Sequence, residues 1–240
     1  MFRACLLTLT LYQAIAALNP DNAQGNEGLS HMDFESQRAL MVKEQIEGRG
    51  ITDRRVLAAM RSVPRHLFVP ENLTPSAYED SPLLLELQQT ISQPFIVARM
   101  SEAAQISPQD KILEIGTGSG YQAAILSLLG RAVFTIEILE PLGLSAKERL
   151  KDYANVTVKI GDGNLGWPEH APFDAILVTA GAFEIPPALL AQLKPNGHLI
   201  MPVGIPNDQV LVRVTKKGGE FHYERLDPVR FVPLVRQKTP

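Results

Sequence analysis

The chain has 240 residues, 45% of them hydrophobic and 20% charged, a balance that excludes a disordered or collagen-like protein. Lysine and arginine total 23 against 26 acidic residues, and a net charge of −3 without a long basic run argues against a nucleic-acid-binding face. The length favours one compact domain with an appendage. The single cysteine, Cys5, excludes a disulfide framework and a zinc cluster.

The first 30 residues differ in composition from the rest and are predicted to lie outside this domain. Arg3 precedes an apolar stretch, residues 4–18, that is shorter than the roughly 20 residues needed to span a bilayer. The basic start and the small residues Ala14 and Ala16 are typical of a cleaved signal peptide, and a disordered extension on a cytosolic protein fits the same composition. Residues 19–30, rich in Asn and Gly, read as a linker.

Two helices are predicted next. From His31 the apolar residues recur near a 3.6-residue spacing until Gly48 and Gly50 close the segment. Asp53 is predicted to cap a second helix, which ends before Pro64.

The connection from Pro64 to Pro94 shows no regular element, and a connection of this length in a compact domain is usually functional. A third helix is predicted to begin near Pro94. Ser92 is a candidate N-cap for it.

After Asp110 the pattern changes to apolar runs separated by helical segments that begin near Gln122, Leu142 and Pro187. The runs are residues 111–115, 132–136, 156–160, 173–179 and 198–203. Continuous apolar strands alternating with helices are typical of a parallel sheet covered on both faces. Residues 209–215 and 220–226 alternate apolar and polar residues around a glycine pair, which predicts a hairpin at the sheet edge.

The predicted fold is therefore α/β: a Rossmann-like, doubly wound, mostly parallel sheet with an N-terminal helical cap and a C-terminal antiparallel hairpin. Residues 31–240 are predicted to form a single domain. Its parts are a helical cap and substrate loop (31–108), a ligand-binding core (109–205) and C-terminal strands (206–240).

A glycine loop follows the first of these strands and opens a helix. In it Gly116, Gly118 and Gly120 leave backbone N–H groups accessible at the positive end of that helix. Glu137 lies at the end of the next strand, where a carboxylate accepts hydrogen bonds from ribose hydroxyls. Together these features predict a ligand that contains a nucleoside.

The third glycine distinguishes between ligands. A dinucleotide fingerprint requires glycine at position 121, which is Tyr121, and a Walker loop requires Gly-Lys-Ser/Thr, which is absent. The spacing G-x-G-x-G preceded by Glu114 resembles the first motif of class I methyltransferases, which bind S-adenosylmethionine. Asp162, beside Gly163 after the third strand, is a candidate acceptor for the adenine amino group. The candidate cofactor residues are Glu114, Gly116, Thr117, Gly118, Ser119, Gly120, Tyr121, Glu137, Asp162 and Gly163.

Motifs spread from about residue 38 to residue 235 resemble the protein-L-isoaspartate O-methyltransferase family. They include Val63-Pro64-Arg65, Thr90-Ile91-Ser92-Gln93-Pro94, Gly161-Asp162-Gly163 and Arg230-Phe231-Val232-Pro233-Leu234. The resemblance implies methyl transfer from S-adenosyl-L-methionine to the free α-carboxylate of L-isoaspartyl residues, a step in protein repair. It also implies that Ser92 orients the acceptor oxygen and that Thr90 assists. The histidines lack metal-ligand spacing, so no metal site is predicted.

One segment departs from the family. Where members carry Pro-Leu-Pro-Ile-Gly-x-Gly, this chain has Pro82-Leu83-Leu84-Leu85-Glu86-Leu87-Gln88, in which a proline and both glycines are lost. A carboxylate at Glu86 could repel an anionic substrate. Two alternatives follow: a methyltransferase with another carboxylate or small-molecule acceptor, or a protein that binds S-adenosylmethionine with little turnover.

The expected partners are isoaspartyl proteins and peptides, without nucleic acid or stable membrane association, and a monomer is expected. Because S-adenosylmethionine is made in the cytosol, a cytoplasmic location is predicted. Export is the alternative if residues 1–16 are a cleaved signal peptide.

Overall fold

In the computed structural model, described here for residues 32–236, a seven-stranded sheet carries the fold. The predicted signal peptide or extension lies outside the described residues. The strands are β3 (Lys111–Ile115), β4 (Ala132–Glu137), β5 (Val156–Ile160), β6 (Phe173–Val178), β7 (Leu193–Ile205), β8 (Asp208–Lys217) and β9 (Glu220–Val229). Their order is β5-β4-β3-β6-β7-β8-β9, with β3 to β7 parallel and the last two pairings antiparallel. This confirms the predicted fold class.

The helical cap precedes the sheet. It contains α1 (Phe34–Leu40), which continues as a π-helical turn (Met41–Ile46), then α2 (Arg54–Ser62) and α3 (Pro94–Ala103). The Asp53 carboxylate accepts hydrogen bonds from the backbone N–H groups of Arg55 and Val56, which confirms it as the cap of α2.

Three helices connect the parallel strands: α4 (Tyr121–Ser127), α5 (Glu140–Arg149) and α6 (Pro187–Ala191). Alternate residues of β3 enter two different apolar cores. Ile112 packs on the face shared with the helical cap, and Leu113 and Ile115 pack on the opposite face. The central strands are therefore buried on both sides, which explains their continuous apolar runs.

A small two-stranded sheet lies in the long connection between α2 and α3. Its strands are β1 (Leu83–Leu84) and β2 (Thr90–Ile91), paired antiparallel. The same connection contains short 3₁₀ turns at Arg65–Phe68, Glu71–Ser76 and Glu86–Gln88. Between residues 32 and 236, no helix has the length and apolar character needed to cross a bilayer.

Candidate active site

A cavity, here called the inner cavity, opens at the carboxyl ends of β3, β4 and β6. Because parallel strands end at one edge of the sheet, loops distant in sequence meet there. Its walls come from residues 89–92, 115–119, 121–122, 136–139, 179–180 and 232–235, with Val97 and Gly163.

The glycine loop forms one wall in backbone conformations that favour glycine. The φ angles of Gly116, Gly118 and Gly120 are +94°, +55° and +92°. A Cβ on Gly116 would lie 2.5 Å from Oγ1 of Thr179. That hydroxyl donates to the Gly116 carbonyl at 2.7 Å, so the loop is held against the end of β6.

Glu137 lines the inner cavity at the end of β4 and is 5% exposed. Its carboxylate accepts a hydrogen bond from the Gly118 N–H at 2.9 Å and another from the Leu139 N–H at 3.1 Å. These bonds fix the acid beside the glycine loop, where it was predicted from the sequence. Its contact with ribose hydroxyls stays a prediction.

Glu114 lies behind the glycine loop rather than in the cavity wall. It is fully buried, and its Oε2 accepts a hydrogen bond from Oγ1 of Thr135 at 2.5 Å. Oγ1 of Thr135 is in turn 2.7 Å from Oγ1 of Thr117, which does line the cavity. Burial raises the pKa of Glu114 to about 8, and the nearby charge of Glu137 acts in the same direction.

Two other candidate cofactor residues also lie outside the lining. Gly120 packs near Leu150, whose Cγ would be 3.1 Å from an added Cβ. Oδ1 of Asp162 accepts hydrogen bonds from the backbone N–H and the side-chain amide of Asn164, at 2.9 and 2.8 Å. Gly163 does line the cavity, and a Cβ there would lie 2.3 Å from Cγ2 of Ile115. The direct cofactor contacts predicted for Glu114, Gly120 and Asp162 stay predictions.

Tyr121 lines the inner cavity from the first turn of α4, and its ring is buried. Phe68 packs edge-on against it at 5.6 Å, and the guanidinium of Arg65 lies 5.0 Å from the ring centroid. Arg65 is itself fully buried, and burial lowers its pKa to about 10.

A second cavity, here called the outer cavity, adjoins the inner cavity at Thr90 and Ser92. Both residues line both cavities. The remaining walls of the outer cavity come from Pro82, Gln93, Ile96, residues 207–209 and residues 228–231. Two hydroxyl side chains therefore stand at the boundary between the two cavities.

The expectation that Ser92 caps α3 is wrong. Gln93 occupies the N-cap position, without a side-chain capping bond, and Pro94 begins the helix. The Gln93 amide instead donates to the carbonyl and the carboxylate of Asp80, at 3.0 and 2.8 Å. The chain is thus anchored beside Ser92, whose hydroxyl is not used as a cap.

The segment that departs from the family pattern, residues 82–88, has a backbone conformation that glycine adopts easily. Leu87 and Gln88 have φ angles of +55° and +60°, although neither is glycine. Glu86 and Gln88 lie outside the lining of both cavities. Glu86 is instead close enough to Arg149 for its charge to oppose the lowering of the Arg149 pKa by burial. The structure therefore places the extra carboxylate near a cation and outside the lining of both cavities.

The C-terminal tail contributes wall residues that the sequence motifs did not assign to the site. Gly181, after β6, donates to the Val232 carbonyl at 2.8 Å and accepts from the Leu234 N–H at 2.7 Å. Asn164 donates to the Val235 carbonyl at 2.9 Å. The apolar, proline-containing run after the last strand was the available signal, but nothing local shows where it packs.

The parallel sheet, the glycine loop and the fixed acid at the end of the next strand define a class I methyltransferase that uses S-adenosylmethionine. A family model described as Protein-L-isoaspartate(D-aspartate) O-methyltransferase matches residues 35–239. The chain belongs to this family.

Relatives and solved structures agree with this membership. A protein-L-isoaspartate O-methyltransferase of Opitutus terrae is 53% identical over 218 residues, covering 88% of this chain and 94% of that protein. One from Protochlamydia amoebophila is 55% identical over 199 residues, covering 81% and 95%. A Plasmodium falciparum chain described as a protein-L-isoaspartate O-methyltransferase, in complex with S-adenosyl-L-homocysteine, has a TM-score of 0.73. It is 27% identical and covers 83% of this chain and 99% of that one.

These findings confirm the predicted family, enzyme class and cofactor, and the predicted activity on isoaspartyl residues of proteins. They do not favour the alternatives of another acceptor or of binding without turnover. The roles of individual residues stay predictions.

Proposed function

We propose that Ser92 and Thr90 receive the free α-carboxylate of an L-isoaspartyl residue from the outer cavity and direct it toward a methyl donor in the inner cavity. The observation that carries this proposal is that both residues line both cavities. A donor in one cavity and an acceptor in the other can then meet at these two hydroxyls.

The inner cavity has the chemistry that S-adenosylmethionine requires. Its glycine loop has no side chain at Gly116 or Gly118, and Glu137 supplies a fixed acceptor for hydroxyl groups. Ile115, Ile136 and Leu139 add apolar wall. When bound, this cofactor supplies a sulfonium methyl group, which is an electrophile. We infer that residues 116–119, Tyr121, Glu137 and Gly163 hold it.

The reaction needs little acid–base help from the protein. An isoaspartyl carboxylate is ionised near pH 7 and is itself the nucleophile. With S-adenosylmethionine held by the glycine loop and Glu137, a carboxylate oxygen would take the methyl group, and the electron pair of the carbon–sulfur bond would stay on sulfur. The protein's contribution is then to position the oxygen and to remove water from it.

Ser92 is suited to the positioning role because a hydroxyl donates a hydrogen bond to a carboxylate without neutralising it. It is half-buried, while Thr90 is more exposed. Ile91 and Val97 are buried beside them and exclude water from this side of the boundary.

We further propose that the protein acts in the cytoplasm as a monomer, without nucleic acid or stable membrane association. The cytosolic origin of the methyl donor supports the location. Finding the mature chain starting after Ala16 in an exported fraction would overturn it, and sedimentation of the purified chain as a dimer would overturn the monomer.

The central test measures transfer of labelled methyl groups to an isoaspartyl peptide, with the same peptide containing normal aspartate as the negative control. We expect a base-labile methyl ester on the first peptide alone. Ser92→Ala removes one hydrogen bond to a charged group, worth about 1.5–3 kcal/mol, so kcat/KM should fall by roughly 10- to 150-fold. The affinity for S-adenosylmethionine should stay close to that of the parent.

Ser62→Ala is the matched control, because the exposed Ser62 hydroxyl only donates to the Ala58 carbonyl within α2. This control should keep full activity. Unchanged turnover in Ser92→Ala would remove Ser92 from the proposed role. Ester formation on the aspartyl peptide at an equal rate would refute the acceptor assignment.

A further inference from the structure

A buried line of three side chains runs from the interior of the sheet to the wall of the inner cavity. It begins at Glu114 on β3, passes through Thr135 on β4 and ends at Thr117 in the glycine loop. The two steps are 2.5 and 2.7 Å long, and the three residues are 0%, 0% and 3% exposed. At these distances both steps are hydrogen bonds.

The direction of these hydrogen bonds depends on whether Glu114 carries a proton. Its other oxygen, Oε1, is buried and has no hydrogen-bond partner among the described residues. A proton on Oε1 would have nothing to donate to, so the neutral carboxyl places its proton on Oε2, facing Thr135.

Each protonation state presents a different group to the inner cavity. With Glu114 ionised, Thr135 donates to it and Thr117 donates to Thr135, which leaves the Thr117 oxygen as an acceptor toward the cavity. With Glu114 neutral, the donors reverse along the line. Thr117 then receives a hydrogen bond from Thr135 and points its own proton into the cavity.

We propose that Glu114 is a positioning residue that acts through Thr135 to set the polarity of Thr117, so that Glu114 is neutral in the free protein and ionised with S-adenosylmethionine bound. This inference rests on the cofactor site of the proposed function and is independent of the acceptor. In this proposal, the charge of Glu114 responds differently to the cofactor and to its product. S-adenosylmethionine carries a sulfonium in addition to its ammonium and carboxylate, whereas S-adenosylhomocysteine is neutral overall.

The charges around Glu114 agree with this reversible behaviour. On β4, Glu137 is the charged group that acts on it and disfavours a second anion. Its register partner on the other side, on β6, is the apolar Leu177. The net positive charge of bound S-adenosylmethionine would thus partly offset two neighbouring carboxylates. A pKa of about 8 leaves Glu114 mostly protonated at pH 7, and a nearby positive charge would lower this pKa enough to ionise it.

The first test compares the pH dependence of cofactor binding in the parent and in Glu114→Gln by calorimetry between pH 6.5 and 9.5. The ionised fraction of a group with a pKa near 8 rises about tenfold between pH 7 and pH 9. We expect the parent's affinity for S-adenosylmethionine to rise about tenfold relative to Glu114→Gln over this range. The rise should be much smaller for S-adenosylhomocysteine. Because the ligand's amino group titrates in the same window, the ratio of the two proteins is the quantity compared.

Thr135→Val tests the route through the middle residue with little change of shape. Without its hydroxyl partner the Glu114 carboxylate is harder to form, so we expect the rise in affinity to be absent up to pH 9. If either variant only weakened packing, its affinity would differ from the parent by a constant factor at every pH. Parallel curves for the parent and Glu114→Gln would overturn the proposal.

The second test observes the unmodified protein directly and uses Glu114→Gln only to assign the signal. A protonated carboxyl has its own infrared band, apart from the amide bands. We expect cofactor binding at pH 7 to remove one such band, and Glu114→Gln to lack the change. Persistence of the band with S-adenosylmethionine bound would overturn the proposal. Absence of cofactor binding would overturn it together with the proposed function, whereas absence of ester formation alone would overturn only the latter.

Discussion

Replacing Glu114 by Gln should make the protein more stable at alkaline pH, by an amount that follows from its burial. The ordinary pKa of a glutamate is 4.5, and the folded protein raises that of Glu114 to about 8. At about 1.36 kcal/mol for each tenfold change in proton affinity, this difference corresponds to on the order of 5 kcal/mol.

The sign follows from proton binding. Between pH 4.5 and pH 8 the unfolded chain has lost the Glu114 proton while the folded protein retains it. Folding stability from this group is therefore fully present below pH 4.5 and is lost as the pH rises toward 8. Glutamine does not titrate, so Glu114→Gln escapes this loss.

Urea unfolding followed by circular dichroism at several pH values from 5 to 9 measures the effect. The difference in unfolding free energy between Glu114→Gln and the parent should grow steadily up to pH 8 and then level off. Glu169→Gln, at an exposed glutamate, is the control and should give a flat difference. A flat difference for Glu114→Gln as well would refute the reasoning.

Three further predictions concern the walls and the loop. Gly163→Ala places a Cβ 2.3 Å from Ile115, so it should lower the free energy of unfolding by about 1–3 kcal/mol and weaken cofactor binding. In the control Gly161→Ala the added Cβ meets only ordinary contacts, so the free energy of unfolding should change by less than about 0.5 kcal/mol. Thermal unfolding and calorimetry check this pair, and equal effects would contradict it. Gln88→Gly removes a side chain from a left-handed residue and should raise the unfolding free energy by about 0.5–1 kcal/mol, so a lower Tm would count against it. Arg230→Gln removes an exposed cation from the outer cavity and should raise KM for an isoaspartyl peptide several-fold with kcat unchanged; the difference should shrink in high salt, and a salt-independent loss would argue for another role.

Local sequence patterns predicted the elements that form through local interactions. The runs at 111–115 and 156–160 are strands with those bounds, and the cap at Asp53 is present. The last parallel strand begins at Leu193 instead of near residue 198. Its first residues contain a proline and a glycine, which interrupt the apolar run, yet pairing with Phe173 draws Leu193 into the ladder. Pairing between distant segments cannot be seen in one segment's pattern.

The sequence by itself determined the class of fold and the side of the sheet on which the cofactor site lies. A glycine loop that follows one parallel strand and an acid that ends the next strand lie at the same edge of the sheet, because parallel strands all end there. Tertiary structure alone decided that Ser92 is free of the helix cap and that it stands with Thr90 between two cavities. It also decided that Glu114 reaches the inner cavity through Thr135, a residue 21 positions away. Burial and hydrogen-bond partners depend on how separate strands pack side by side, and spacing along the chain does not record that packing.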